Sequence, residues 1–123
     1  MLVYTHRFLA SLVFTIALET SVLLVLVRKY FRLNEKVISS ARLVFAGSFA
    51  SFSTIAYVWY VFPVLFYSSH QRAILIGELF AFLVEALFYE IFLGLGAKRS
   101  LAISLIANAA SFTAEYFLIR LFA

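Results

Sequence analysis

The sequence predicts an all-α fold, an integral membrane four-helix bundle, and three observations lead to this prediction. The 123 residues are 65% hydrophobic and 13% charged, whereas a soluble domain is about 45–50% apolar and about 25% charged. Basic residues divide the chain into four apolar stretches, each close to the length of about 20 residues that a helix needs to cross a bilayer. No stretch alternates polar and apolar residues as a barrel strand would, so helices are the expected spanning elements.

The first helix is predicted over residues 8–28, between Arg7 and the Arg28–Lys29 pair. Its apolar run is longer than the hydrophobic core of a signal peptide, and basic residues follow it instead of a small-residue cleavage site. We therefore expect a transmembrane helix at this position and not a cleaved leader.

The second and third helices, predicted over 42–66 and 73–95, each carry residues near their ends that stop a helix. Pro63 lacks a backbone N–H and is expected to end or kink the second helix, with Phe62 biased away from helical geometry. The segment Gly94–Gly96 is expected to end the third helix, because glycine readily adopts the left-handed conformation found at helix C-termini. The fourth helix, predicted over 100–122, completes a single transmembrane domain.

Lysine and arginine are expected to concentrate in the cytoplasmic loops of a membrane protein. Two predicted loops carry most of them: Arg28, Lys29, Arg32, Lys36, Arg42, Lys98 and Arg99. The opposite side carries Arg7, Arg72 and Arg120. We therefore expect a multi-pass protein of the cell membrane with both termini outside the cytoplasm, and with Tyr30 and Tyr89 near the inner interface. Contact with anionic headgroups of the lipid bilayer accounts for the net charge of +4, so no nucleic acid partner is expected.

Two pairs of short segments resemble each other in the same order along the chain. Residues 14–19 (FTIALE) are similar to residues 80–85 (FAFLVE), and residues 50–53 (ASFS) are similar to residues 110–113 (ASFT). We predict two tandem helical hairpins related by a pseudo-twofold axis along the membrane normal, a symmetry that some transporters have.

Most of the carboxylates lie inside the predicted spans. They are Glu19, Glu78, Glu85, Glu90 and Glu115, whereas Glu35 lies in a loop. A charged group at the centre of a bilayer costs about 3 kcal/mol on insertion scales, so such residues face protein or water and often mark functional sites.

Glu19, Glu85 and Asn108 are predicted to share one layer near the middle of the membrane. At about 1.5 Å of rise per residue, both glutamates lie about 17 Å from the outer edge. No lysine, arginine or histidine is expected at this depth, and such a pair suits protons or a small cation held by oxygen ligands. The candidate ion- or proton-binding residues are Glu19, Glu85, Asn108, Ser48, Ser51 and Ser111.

A second polar layer is predicted closer to the outside, with Glu78, Glu115 and Arg120 as its candidates. Arg120 or Arg72 is expected to neutralise one of these carboxylates. Small and polar residues on the second and fourth helices predict that these two helices pack directly against each other, with the deep carboxylates beside the contact.

The expected function is binding or passage of a small cation or protons by a transporter or channel component. The alternative is a non-catalytic membrane subunit or scaffold whose carboxylates bond to partner helices, and the third candidate is a lipid-modifying membrane enzyme. No catalytic residue is predicted, because His6 and His70 lie outside the spans and no base lies beside a serine. No cofactor is expected, and the absence of cysteine excludes thiolate ligands without identifying a metal. Because four helices rarely enclose a path alone, we expect a homo-oligomer or a complex with a membrane protein partner.

Overall fold

The computed structural model describes the backbone of residues 2–122 and the side chains of residues 3–117. Within these residues the chain is all-α and contains no strand, which confirms the predicted class. The helices are α1 (Leu2–Val25), α2 (Ser40–Ala56), α3 (Phe62–Leu65), α4 (His70–Leu93) and α5 (Ala97–Phe122). A π-helical turn over Leu26–Tyr30 extends α1, and another over Tyr57–Val61 joins α2 to α3. The chain therefore forms four long helical rods, and the first rod begins six residues earlier than the predicted start at residue 8.

The rods pack in a ring in which α1 and α4 each lie beside both α2 and α5. The second and fourth rods are therefore diagonal neighbours, and the prediction that they pack directly against each other is wrong. The reason is the Glu19 side chain, which lies between them and accepts hydrogen bonds from Ser51 on α2 and Ser111 on α5. We call the end with residues 28–42 and 94–99 the basic end, and the opposite end, with α3, the start of α1 and the end of α5, the terminal end.

Many large apolar side chains lie on the outside of the bundle and several polar side chains lie inside, unlike in a typical soluble protein. Large apolar side chains cover the outside, as on α4, where one stripe is more than half exposed: Leu75, Leu79, Leu83, Leu87 and Ile91. The polar side chains buried inside are Thr15, Glu19, Thr20, Ser51, Thr54, Glu85, Ser100, Ser104, Asn108 and Ser111. Two rods, Val3–Tyr30 and Ser40–Leu65, are long and apolar enough to cross a membrane. Only 28% and 22% of their most apolar stretches are buried, whereas the core helix of a soluble protein would be mostly buried.

The helix ends follow local backbone chemistry. The hydroxyls of Ser39 and Ser69 accept hydrogen bonds from backbone N–H groups at the starts of α2 and α4, as N-caps do. Gly94, with φ of 62°, ends α4 in the left-handed conformation, as predicted. Phe62 is helical, with φ of −66° and ψ of −37°, so the prediction that Pro63 would bias it away from the helix is wrong. The π turn before Pro63 is wider than an α-helical turn, so it accommodates the proline ring and the loss of one backbone hydrogen bond.

The loop at the basic end is organised by Arg28 and Glu35. Arg28 donates to the backbone oxygens of Leu33 and Ile38 and forms an ion pair of 2.9 Å with Glu35. Hydrogen bonds from the hydroxyl and the N–H of Ser40 lower the pKa of the Glu35 carboxyl, and the charge of Arg28 adds to this effect. Arg28 therefore holds the loop together in addition to its expected role as a topology signal.

An apolar core fills the bundle between the deep carboxylates and the basic end. Leu23, Val27, Leu43 and Ile103 each have 0% exposure, and so does Tyr89. The prediction that Tyr89 lies at the membrane interface is therefore wrong. Its position explains why, since it follows Glu85 by four residues and so lies on the same inward-facing side of α4.

Gly47 permits the close approach of α1 and α2. A Cβ atom at this position would lie 2.7 Å from the Thr20 Oγ1 atom and 3.2 Å from the Thr20 Cα atom. At Gly77 on α4, by contrast, a Cβ atom would make an ordinary contact of 3.5 Å with Val58. The two glycines therefore share a helical backbone but differ in the space around them.

We expect Gly47→Ala to destabilise the protein by about 1–3 kcal/mol, because the added methyl group forces α1 and α2 apart. Gly77→Ala is the matched control, and we expect it to be neutral or to stabilise by up to about 1 kcal/mol through helix propensity. Thermal unfolding of both variants in the same detergent measures the difference. An equal effect of the two substitutions would show that close packing at Gly47 is unimportant.

Candidate functional site

Two buried carboxyl groups meet at the centre of the bundle. Glu19 extends from α1 and Glu85 from α4, and each residue is 1% exposed. The two groups lie close enough to hydrogen-bond each other when one of them carries a proton. The two rods that face each other across the ring thus bring their glutamates into direct contact.

Hydroxyl groups on both neighbouring rods donate to the Glu19 carboxyl. The Ser51 hydroxyl on α2 lies 2.6 Å from the Glu19 Oε2 atom, and the Ser111 hydroxyl on α5 lies 2.8 Å from the Oε1 atom. Both serines are buried. Each oxygen of this carboxyl therefore has its own donor.

Glu85 has an equivalent arrangement with different donors. The Thr54 hydroxyl on α2 lies 3.0 Å from the Glu85 Oε1 atom, and the Asn108 side-chain amide on α5 donates to the Oε2 atom. The same amide donates over 2.8 Å to the backbone oxygen of Ser104, which holds it in place. The two glutamates are thus bonded to four neutral side chains from two rods.

No basic side chain neutralises this pair within residues 3–117, where Arg28–Glu35 is the single ion pair. The carboxyls are compensated only by neutral donors and by each other. Two unit charges 4 Å apart repel by about 4 kcal/mol at an effective dielectric of 20, so two ionised carboxylates in contact are strongly unfavourable here.

The outer polar layer lies one to two turns nearer the terminal end. The Glu115 Oε1 atom accepts hydrogen bonds of 2.6 Å from Ser11 and 2.8 Å from Thr15, both on α1. Glu78 is half-buried. The side chain of Arg120 lies outside the described residues, and Arg72 is exposed and forms no ion pair within residues 3–117.

A cavity of about 30 Å³ lies between the two layers, which is enough space for about one water molecule. Four carboxyl side chains line it: Glu19, Glu78, Glu85 and Glu115. The other polar residues around it include Thr15, Thr54, Asn108 and Ser111. The cavity therefore connects the deep pair with the outer layer through polar surroundings.

Two buried hydroxyls near the deep pair have no hydrogen-bond partner, those of Thr20 and Tyr89. Thr20 follows Glu19 directly on α1, and Tyr89 follows Glu85 by one turn on α4. Both lie on the side of the pair that faces the basic end. Polar groups thus continue a short way past the deep pair before the apolar core begins.

The arrangement suits proton binding better than metal binding or nucleophilic catalysis. Within the described residues, no group of three or more His, Cys, Asp or Glu side chains is placed to hold a metal ion. His6 and His70 are exposed and do not line the cavity. Paired carboxyls with neutral donors can hold a proton, release it and exchange it with a neighbouring water molecule.

The structure brings together five of the six residues predicted for the deep site: Glu19, Glu85, Asn108, Ser51 and Ser111. Ser48 is half-buried and is not among the donors to either carboxyl. Sequence reasoning did not assign Ser11 and Thr15 to the outer layer. Ser11 and Thr15 precede Glu19 by eight and four residues, which places all three on the same face of α1. This spacing could have indicated that the two hydroxyls face the interior of the bundle.

The chain was compared with protein-family models, with curated proteins and with solved structures. No match was found in any of the three comparisons. The geometry of the site is therefore the basis for a functional proposal.

We expect Asn108→Ala to lower the free energy of unfolding by about 1–3 kcal/mol, because it removes a donor from the buried Glu85 carboxyl. Ser53→Ala is the control, since Ser53 bonds only to the backbone oxygen of Phe49 in its own helix, and its effect should stay within about 0.5 kcal/mol. Unfolding measured under identical detergent conditions compares them. A cost for Asn108→Ala no larger than that of the control would contradict the importance of the amide.

Proposed function

We propose that this protein is a small multi-pass membrane protein that binds protons at the Glu19–Glu85 pair and passes them across the bilayer, as a transporter or as part of a channel. The observation that carries the proposal is the contact of two buried carboxyls with no basic residue beside them. Such a pair is stable in an apolar bundle when it holds a proton, and it becomes charged when the proton leaves.

The distribution of polarity supports a membrane location. Two rods have the length and composition to cross a bilayer, and apolar side chains cover the outside of α4, although that helix also carries three glutamates. A soluble protein with this surface would expose apolar area far beyond what is usual. In a bilayer the same surface faces lipid, and the glutamates face the interior, where intramembrane carboxylates are expected.

Protons fit the site better than a small metal cation. A cation site needs carboxylate and carbonyl oxygens directed at one point, but here every carboxyl oxygen of the deep pair accepts a hydrogen bond from a hydroxyl or an amide N–H. The cavity above the pair has space for about one water molecule, and one water molecule is sufficient to deliver a proton. Small cations other than H⁺ are therefore the second choice of substrate.

With the basic end in the cytoplasm, the outer layer becomes the entry from the outside. Glu78 and Glu115 would receive a proton near the terminal end, and the water-sized cavity would carry it to Glu19 and Glu85. The leucine stripe on α4 is then free to contact lipid or a second membrane helix. A homo-oligomer or a membrane protein partner, as expected from the sequence, would complete a path that four helices do not enclose.

We expect Glu19→Gln and Glu85→Gln each to reduce proton flux by about tenfold or more, because glutamine keeps the size and the hydrogen-bonding capacity but cannot release a proton. The measurement uses liposomes with an entrapped pH-sensitive dye and a potassium diffusion potential set with valinomycin. Glu90→Gln is the control, since Glu90 is half-buried, bonds to Ser100 and lies outside the cavity. Absence of flux in the wild-type protein, or unchanged flux in both glutamine variants, would contradict the proposal.

A second candidate function is a non-catalytic membrane subunit. It is favoured by the observation that every oxygen of the deep carboxyls already has a donor, which is what a structural role requires. This candidate expects a stable complex with another membrane protein after purification in a mild detergent. It also expects the Glu19→Gln and Glu85→Gln variants to lose stability while no proton flux is seen in any form of the protein.

A further inference from the structure

Tyr89 carries a buried hydroxyl that the packing of the bundle does not explain. The residue has 0% exposure, and its hydroxyl has no hydrogen-bond partner. A buried polar group without a partner costs stability, and phenylalanine would fill nearly the same volume without that cost. The hydroxyl therefore calls for a role other than packing.

Tyr89 lies on the basic-end side of the deep carboxyl pair, one turn along α4 from Glu85. Tyr89 follows Glu85 by four residues, which places the two side chains on one face of α4. Helical side chains lean toward the N-terminus of their own helix, and in α4 this direction leads from Tyr89 back toward Glu85. The hydroxyl lies within electrostatic range of both Glu85 and Glu19, although it bonds to neither.

On the basic-end side of the pair, the other buried polar side chains near it are Thr20 on α1 and Ser104 on α5, and Tyr89 is the one on α4. The polar cavity reaches Glu19 and Glu85 from the terminal end and does not include Tyr89. Beyond Tyr89, the interior is filled by the apolar core with Leu23, Val27 and Leu43. Tyr89 is thus the polar side chain of α4 that lies between Glu85 and the apolar core.

We propose that the Tyr89 hydroxyl is the relay that carries protons between the Glu19–Glu85 pair and the basic end of the bundle. This inference rests on the proposed proton-transfer function. In the step, a rotation of the Glu85 or Tyr89 side chain brings the two groups into hydrogen-bond contact, and the carboxylic acid O–H of Glu85 gives its proton to the Tyr89 oxygen. The proton of the Tyr89 O–H passes to a water molecule that enters the core from the basic-end side. One O–H bond breaks and one forms at the tyrosine, so it stays neutral, while the carboxyl becomes a carboxylate and the water becomes hydronium.

The test is Tyr89→Phe, which removes the hydroxyl and leaves the ring. In the liposome assay we expect proton flux to fall by about tenfold or more. The thermal unfolding midpoint should stay equal or rise, since an unpartnered buried hydroxyl is lost. The infrared C=O band of the protonated carboxyl pair should stay unchanged, because the pair keeps all of its donors. Tyr30→Phe is the matched control, as Tyr30 is 75% exposed, and it should keep full flux.

The outcomes separate the relay from the proposed function. If Tyr89→Phe keeps full flux while Glu85→Gln abolishes it, the relay is wrong and the proton-binding pair stands. If Tyr89→Phe loses flux together with thermal stability, or shifts the carboxyl band, Tyr89 supports the structure of the site and the relay is again wrong. If the wild-type protein shows no proton flux in the liposome assay, both proposals are wrong.

Discussion

The rest of the structure depends on the contact between two carboxyl groups in the interior of an apolar bundle. Glu19 and Glu85 have no basic partner within the described residues, so donors must come from neutral side chains. This requirement determines what α2 and α5 carry at their centres, where alanine or leucine would otherwise pack well. It also explains why those rods stand apart on the diagonal of the ring, since the carboxyls and their donors occupy the space between them.

Much of this arrangement could be predicted from sequence because helix rise converts residue number into depth. Counting residues from the basic flanks placed Glu19, Glu85 and Asn108 in one layer, and the hydrogen bonds in the structure bring them together. The contact of the second and fourth rods was predicted wrongly, because small residues indicate room for a neighbour without saying whether a helix or a long side chain fills it. The membrane location, the orientation, the pseudo-twofold repeat and the oligomer stay predictions.

Two other errors have local causes. Phe62 was expected to leave the helix because it precedes a proline. In the structure the backbone widens into a π turn just before Phe62, and Phe62 itself stays helical. Nothing in the residue pattern specifies such a turn. Tyr89 was assigned to the membrane interface because tyrosine is common there. Its spacing from Glu85 carried better information than its residue type, since residues four apart share a helix face.

The donors of the carboxyl pair also divide between the two halves of the chain. Glu19 bonds to Ser51 in its own hairpin and to Ser111 in the other, while Glu85 bonds to Asn108 in its own and to Thr54 in the other. Each carboxyl therefore links the two hairpins through its hydrogen bonds, in addition to being an ionisable group. Any rocking of one hairpin against the other must stretch or exchange these hydrogen bonds. Under the proposed function, protonation of the pair and the angle between the hairpins would therefore be coupled at the centre of the molecule.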